Sequence, residues 1–468
     1  MKLPLRPALA FARGAGTLAR LRGGGATSLP GRVLLALQPE AVALLARRLP
    51  RGAALISATN GKTTTAALAA SVLERAGVAL VHNGAGANME GGIAATLLDA
   101  SRRGGRLTGE LGLFEVDEAW LPSVAAHVRP RAILLSNLFR DQLDRYGELD
   151  TLAGGWATMV RASASEQTAL VLNADDPVVA DLGRERAQVV YFGVQDDGVS
   201  LPEIAHAADA KRCRRCGGAY VFDAVYLGHL GRYRCPACGQ TRPAPQVWAS
   251  EIELHGVRGA SFTLAAAAGS ARVELSLPGL YNVYNALAAA ALCLTLGVGL
   301  PEIAASLGRT RAAFGRAEVV AVQGRQASIL LVKNPAGANE VLRTLALEPG
   351  QHDLLCVLND NIADGRDVSW IWDADFEMLA ATVRRVTCAG TRAPEIALRL
   401  KYAGVDPARI EVVAALPAAL AAAIAGRPAG GGADSGPPPL FILPTYTAML
   451  ELRKLLVRRG LAGGRWST

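Results

Sequence analysis

The sequence predicts an α/β protein of two parallel-sheet units, the first carrying a small cysteine-rich insertion. Three observations lead there. From about Ala53 to Asp181, short apolar runs alternate with Ala/Leu-rich helical stretches, the signature of a parallel sheet with crossover helices. The same alternation restarts near Arg316 and continues toward the C-terminus. Between them, from His206 to Gln246, the composition turns abruptly to Cys, Arg, Gly and Tyr.

In the first unit, Ala53 to Ser57 reads as a strand, followed by a glycine turn and a helix carrying Leu68, Val72 and Leu73. Leu113 to Val116, Ala132 to Ser136 and Ala169 to Leu172 read as further strands, and helix–strand alternation is expected to resume after the insertion. In the second unit the expected strands are Ser328 to Lys333, Leu354 to Leu358, Val383 to Ala389, Ile410 to Ala414 and Leu440 to Leu443, with a Gly/Pro-rich loop from Gly426 to Pro439. These boundaries divide the chain into residues 1–50 as an N-terminal segment of the central domain, a central domain at 51–317 with its insertion at 206–245, and a C-terminal Rossmann-like α/β domain at 318–468.

Length and composition agree. A chain of 468 residues, 51% hydrophobic and 19% charged, holds several cores and is not disordered. The formal charge of +8 has much of its excess in the first 50 residues, including Arg6, Arg13, Arg20, Arg22, Arg32, Arg47 and Arg48, and suits anionic partners such as phosphates or membrane surfaces. Arginine interrupts the N-terminus too often for a signal peptide. The uncharged stretch Leu275 to Pro301 contains Pro278, Gly279, Asn282 and Asn285 and reads as a loop and a buried helix rather than a membrane span. A cytoplasmic protein is expected, or one held peripherally at the inner membrane face.

Ser57-Ala58-Thr59-Asn60-Gly61-Lys62-Thr63-Thr64 lies between strand and helix. There, backbone N–H groups at a helix N-terminus cradle phosphates, a lysine reaches the terminal phosphates, and a threonine hydroxyl ligates Mg²⁺. The match to a standard P-loop is partial, because Ile56 stands at the first glycine position. Cys213-Arg214-Arg215-Cys216 and Cys235-Pro236-Ala237-Cys238, 18 residues apart, have the spacing of a closed four-thiolate structural Zn²⁺ ribbon. His229, between the two knuckles, is expected at the surface. Arginines flank the knuckles, but no aromatic stacking array accompanies them, so no nucleic-acid partner is expected. Cys293, Cys356 and Cys388 sit in apolar elements and read as small buried hydrophobes.

Taken in order, these segments resemble the Mur ligases and folylpolyglutamate synthases. Thr59-Asn60-Gly61-Lys62-Thr63 resembles their P-loop, and Phe114-Glu115-Val116-Asp117-Glu118 their Mg²⁺-binding glutamate segment. Asn137 to Tyr146 resembles their second metal segment, and Asn173 to Pro177 and Tyr281 to Ala286 their nucleotide surroundings. Gly315-Arg316 resembles the end of their central domain. The resemblance implies ATP binding by Thr59, Asn60, Gly61, Lys62, Thr63, Thr64, Glu115, Asn282, Asn285 and Arg316, and Mg²⁺ binding by Thr63 and Glu115, with Glu118 as the competing acid. Gln142 stands where many relatives have a metal-binding histidine, and no lysine lies between Gln142 and Lys211 to be carbamylated. The second metal site is left open.

A cysteine ribbon inserted before the adenine segment, with Lys333 to Asn339 and Leu358 to Asp373, resembles the MurT branch of that family. This implies ATP-dependent amidation of the D-glutamate α-carboxylate of lipid II at the cytoplasmic membrane face. It also implies a heterodimer with a GatD-type class I glutamine amidotransferase subunit that supplies ammonia. Asp367 matches the acid thought to complete the glutaminase's Cys–His pair, so Lys62 and Asp367 are the two expected catalytic residues. The alternatives are another carboxylate–amine ligase of the superfamily and a non-enzymatic zinc-ribbon module that binds nucleotide.

Overall fold

The computed structural model describes residues 2–21, 28–84, 87–102, 105–141, 149–163, 168–204, 208–310, 318–322, 325–425 and 438–461. Gln142, Asp144, Gly315, Arg316 and most of the Gly426 to Pro439 stretch lie outside these residues.

The first sheet is assembled from β1 (Ala53–Ser57), β2 (Leu80–His82), β3 (Leu111–Glu115), β4 (Ala132–Leu135), β5 (Ala169–Asn173) and β6 (Val189–Val194). The small hairpin β7 (Val221–Leu227) and β8 (Leu230–Arg234) follows as a separate two-stranded sheet, then β9 (Val247–Leu254), β10 (Ala260–Ala266) and β11 (Gly269–Leu275). The nine-stranded order is β11-β10-β9-β6-β5-β4-β1-β3-β2. Pairing is parallel from β2 through β9 and antiparallel for β10 and β11. The resumed helix–strand alternation expected after the insertion is thus a three-stranded meander. β9 to β11 carry alternating polar and apolar residues, as one-sided antiparallel strands do, so the later run of helices starts only at Leu280.

Period-two alternation in the central strands gives the sheet two apolar faces. Ala54 and Ile56 of β1 face one cluster with the helices Lys62–Arg75, Leu280–Thr295 and Leu300–Leu307. Ala53 and Leu55 face the other, with the N-terminal helices Leu5–Leu21, Leu29–Leu37 and Ala41–Ala46. The stretch around Tyr281 is a fully packed helix, as expected, and no helix among the described residues is long and apolar enough to cross a membrane.

The second sheet contains β12 (Glu318–Val322), β13 (Arg325–Ile329), β14 (His352–Val357), β15 (Val383–Ala389), β16 (Ile410–Val412) and β17 (Leu440–Pro444), in the order β12-β13-β17-β14-β15-β16. All pairs are parallel except the β12–β13 hairpin. The strand expected at Ser328 to Lys333 ends at Ile329, which leaves Lys333 on a loop free to reach another sheet.

One buried carboxylate ties the first sheet to the insertion. Asp175, just beyond β5, accepts hydrogen bonds from Val194 N, the Tyr284 hydroxyl and the Arg242 guanidinium. Its carbonyl receives the N–H of Gly231 in β8. Burial pushes its carboxyl up, against the pull of Arg242 and Tyr284. Asp175→Ala strands a buried guanidinium and a buried phenol, and is expected to lower stability by about 3–5 kcal/mol in urea unfolding. A change below about 1 kcal/mol would show that this junction is not structural.

Candidate active site

The parallel pairing of β1 with β3 builds the site. Ile56 of β1 pairs with Glu115 of β3, so both strands end side by side and the loops after them converge. After β1 the chain turns through Gly61 at φ +85° into the helix Lys62–Arg75. A Cβ at Gly61 would lie 2.0 Å from Asn285 Oδ1, so only glycine allows the loop this close to the helix that starts at Leu280. The loop is pinned from the side by Asn137, whose Oδ1 accepts Asn60 N at 2.9 Å and whose amide donates to Asn60 O at 3.0 Å.

Lys62 turns back over this loop. Its ammonium donates to Ala58 O at 2.9 Å and to Glu118 Oε2 at 2.8 Å. Burial alone lowers its pKa, but Glu118, Asp117 and Glu115 outweigh that and hold the ammonium above its ordinary value. The Thr63 hydroxyl donates to Glu115 Oε1 at 2.9 Å, and Glu115 Oε2 is buried with no partner. A buried carboxylate oxygen without a donor is costly, and a hard cation shared with the Thr63 oxygen would satisfy it. The donor set therefore fits Mg²⁺ at Thr63 and Glu115, while Glu118 is occupied by Lys62.

These groups line a cavity of about 300 Å³ together with Thr59, Asn60, Thr64, Asn282 and Asn285. Asn285 accepts from the Thr65 hydroxyl at 3.3 Å and donates to Asn282 Oδ1 at 3.0 Å. The second sheet's loops close the opposite wall. Lys333 Nζ reaches Thr59 O at 3.1 Å and Asp141 Oδ2 at 2.6 Å, and Asn334 and Asn60 exchange side-chain hydrogen bonds at 3.0 and 3.2 Å. Gly337, Glu340 and Tyr446 also face this space.

The insertion contributes a wall as well. Cys213, Cys216, Cys235 and Cys238 place their sulfurs within 4.8 Å of one another, with pairs at 3.5 and 3.6 Å. Tetrahedral Zn–S bonds of about 2.3 Å require S···S separations of about 3.8 Å, so the cluster fits Zn²⁺. Both knuckles turn alike, with Gly217 at φ +75° and Gly239 at φ +74°. Burial raises the Cys213 thiol, but the N–H groups of Arg215 and Cys216 prevail and bring it to about 7. Away from the knuckles, Leu227 and Leu230 at the tip of the β7–β8 hairpin line the cavity. His229 is not at the surface as expected. It is fully buried at that tip, 3.4 Å from Asp176 and packed against Phe139 with ring centroids 4.6 Å apart and the rings tilted by 50°, because the hairpin folds back into the sheet's carboxyl edge.

Residues 56–222 match the family described as the Mur ligase middle domain, and residues 331–449 match the MurT ligase C-terminal family. Among solved structures, MurF ligase from Thermotoga maritima in complex with ADP superposes with a TM-score of 0.61 at 14% identity, covering 90% of this chain and 84% of that one. A pseudomurein peptide ligase type C from Methanothermus fervidus gives 0.63 at 21%, covering 89% and 80%. These likenesses show the Mur ligase fold. The lipid II isoglutaminyl synthase (glutamine-hydrolyzing) subunit MurT of Streptococcus pneumoniae is 33% identical over 441 residues, 93% of each chain. This chain belongs to the MurT family. The corresponding MurT subunit of Staphylococcus aureus N315 is 32% identical over 85% of this chain and 88% of that one.

Two features of this MurT family chain lie outside the cavity's phosphate end. Asp367 is exposed, and its Oδ1 accepts Ser369 N at 2.8 Å, which draws its carboxyl below the usual range. It thus holds the first residue of the turn Ser369–Asp373. The nearby acids are engaged: Asp364 is buried on Thr447, and Asp360 pairs with Arg392 at 2.7 Å. Cys293, Cys356 and Cys388 are buried as expected, and burial raises each thiol, that of Cys388 to about 12. The sequence reading did not single out Lys333, Asn137 or the hairpin tip as site residues. Lys333 and Asn137 stand inside segments already noted for their resemblance, whereas nothing local marks Leu227 or Leu230.

Gly61→Ala is expected to weaken ATP binding about tenfold or more, since the added methyl meets Asn285 and the left-handed backbone disfavours it. Titration calorimetry with a non-hydrolysable ATP analogue reads this directly. Unchanged affinity would mean the loop is not held against that helix.

Proposed function

We propose that this chain is the synthetase subunit of a lipid II isoglutaminyl synthase. It amidates the α-carboxylate of D-glutamate in the lipid II stem peptide to D-isoglutamine, with ATP as the activating substrate and ammonia from a glutaminase subunit. The observation that carries this is the meeting of Lys62, Thr63 and Glu115 at one end of a cavity whose other wall belongs to the second sheet. That geometry suits phosphoryl transfer to an acceptor brought in between the two units.

A carboxylate resists attack by ammonia, and phosphate is a good leaving group. The acceptor oxygen takes the γ-phosphoryl group of ATP, releasing ADP. Ammonia then attacks the acyl carbon, phosphate departs, and the nitrogen loses a proton. Lys62 is suited to neutralise the γ-phosphoryl oxygens and the charge that builds on the β,γ-bridging oxygen as ADP leaves, and Thr59 to Thr64 orient the phosphates by N–H groups at the helix start. Mg²⁺, held by Thr63 and Glu115, would supply further neutralisation of the phosphate oxygens. Resemblance assigns Asn282 and Asn285 to the adenine-facing segment and Arg316 to the end of the central domain beside the nucleotide. Zn²⁺ held by Cys213, Cys216, Cys235 and Cys238 would keep the hairpin tip in place and has no open position for chemistry.

The partner is proposed to be a GatD-type glutaminase docked on the C-terminal unit (residues 318–468), the nucleotide-binding unit being residues 51–317 with residues 1–50 attached to it and the ribbon at 206–245. An apolar surface near Asp367 supports that place: Ile362, Trp372 and Tyr402 are 71%, 49% and 70% exposed. The turn behind Asp367 is fixed by buried Arg399, which donates to Ile371 O and Ala374 O at 3.0 and 2.7 Å. Asp367 on a rigid turn is suited to orient a partner's histidine.

Lys62→Ala is expected to lower amidation at least about a hundredfold with either glutamine or free ammonia. Asp367→Asn in complex with the partner is expected to lower glutamine hydrolysis about a hundredfold or more and leave ammonia-driven amidation near normal. Equal loss of both activities in the Asp367 variant, or ammonia-driven product from the Lys62 variant, contradicts these assignments. Elemental analysis of purified chain is expected to find about one zinc per polypeptide. Four freely alkylated thiols in folded, zinc-free protein would overturn the ribbon site.

A further inference from the structure

The chain's positive charge is not spread evenly. Residues 1–50 hold eight Lys and Arg against one acid, Glu40, so seven of the eight net charges lie there. No acid precedes Glu40. In the structure this segment is the three-helix layer on one face of the large sheet.

The first of these helices, Leu5–Leu21, is apolar on both sides. Its inner side packs through Ala8, Leu9 and Ala12, and Arg13 anchors it by donating to the Ser101 hydroxyl at 2.7 Å. Gly16 fits against Pro30, where a Cβ would approach to 2.9 Å. Its outer side carries Pro7, Phe11, Gly14 and Leu18, one stripe at helical spacing. Phe11 is 64% and Leu18 59% exposed, and an added Cβ at Gly14 would meet nothing within 4 Å. Arg6 and Arg32 are exposed on this layer, with Arg47. Phe and Leu on one exposed stripe, in a segment with no acid before Glu40, suit a surface that is apolar beneath and anionic above.

We infer that the outer face of the helix Leu5–Leu21 is a docking surface for an anionic lipid bilayer. Phe11 and Leu18 enter the headgroup–acyl boundary while Arg6 of the same helix and the layer's other exposed arginines meet lipid phosphates. Stable interfacial anchoring takes two signals, apolar insertion and basic charge, and this layer holds both. The surface extends the proposed reaction, whose acceptor is lipid-linked, by holding the ligase where that acceptor resides. The layer is also mechanically continuous with the site. The helix Leu29–Leu37 packs on Glu90–Ala100, and Met89, just before the latter, lines the cavity.

The test is co-sedimentation of the full chain with phosphatidylcholine vesicles and with vesicles containing phosphatidylglycerol. Binding is expected only with the anionic lipid and is expected to fall steeply near 1 M salt, where the screening length is about 3 Å. Phe11→Ser with Leu18→Ser is expected to lower the partition coefficient about tenfold or more. Arg6→Glu should lower it about fivefold per unit of charge removed. The thermal midpoint of both variants should match the parent, since each altered side chain is exposed. Equal sedimentation with both lipids, or variants that bind as the parent does, overturns the proposal. So does a double variant that instead changes oligomeric state or loses its glutaminase partner, because another protein then covers the face. The vesicles contain no lipid II, so binding is read apart from the reaction: binding here, with no amidation in a separate assay that supplies lipid II, would leave this surface standing and count against the proposed reaction alone.

Discussion

A lysine ammonium removed from water has to be held by acids, and the arrangement that does this for Lys62 governs the rest of the site. Glu118 takes the ammonium directly, at 2.8 Å, and Asp117 beside it and Glu115 at the end of β3 add their charge. Those acids are within reach because β1 and β3 are parallel neighbours that end together. A phosphate chain entering the cavity therefore meets a cation already placed, together with the Thr63 hydroxyl and a buried Glu115 oxygen that no donor reaches. The charge that makes the pocket costly without ligand is the charge that makes it complementary to a metal-bound polyphosphate.

Around this centre, three otherwise separate parts of the chain are fastened to one loop. The helix Leu280–Thr295 approaches through Asn285 where Gly61 lacks a side chain. The second sheet reaches across through Lys333 and Asn334. The β7–β8 hairpin supplies two leucines, and Gly231 beside its tip is held by Asp175, itself fixed by Arg242 and Tyr284. The insertion is thus part of the nucleotide-binding unit's wall rather than an appendage. A domain this small has too little apolar surface to fold alone, and four thiolates closed on a metal would give its tip a fixed position.

Much of this was legible in the sequence, for identifiable reasons. Central parallel strands buried on both faces are short apolar runs, so Ala53–Ser57 and Val383–Ala389 stand out with their observed limits. The P-loop and the cysteine knuckles are local, and their chemistry fixes residue type and spacing. The edge meander from Val247 to Leu275 was missed because half of each strand faces water and its apolar content is diluted. His229 was misjudged because its burial comes from Phe139 and Asp176, far away in sequence. Lys333 looked like the end of a strand, and its reach to Thr59 depends on how the two sheets face each other, which no local pattern encodes.

Everything at this site turns on activation of a carboxylate by phosphorylation. The most direct measurement uses acceptor labelled with ¹⁸O in the D-glutamate α-carboxylate, turned over with ATP and ammonia, and follows the released inorganic phosphate by ³¹P NMR. Activation through an acyl phosphate predicts one ¹⁸O carried from the carboxylate into each phosphate. Product formed with phosphate free of ¹⁸O would contradict it.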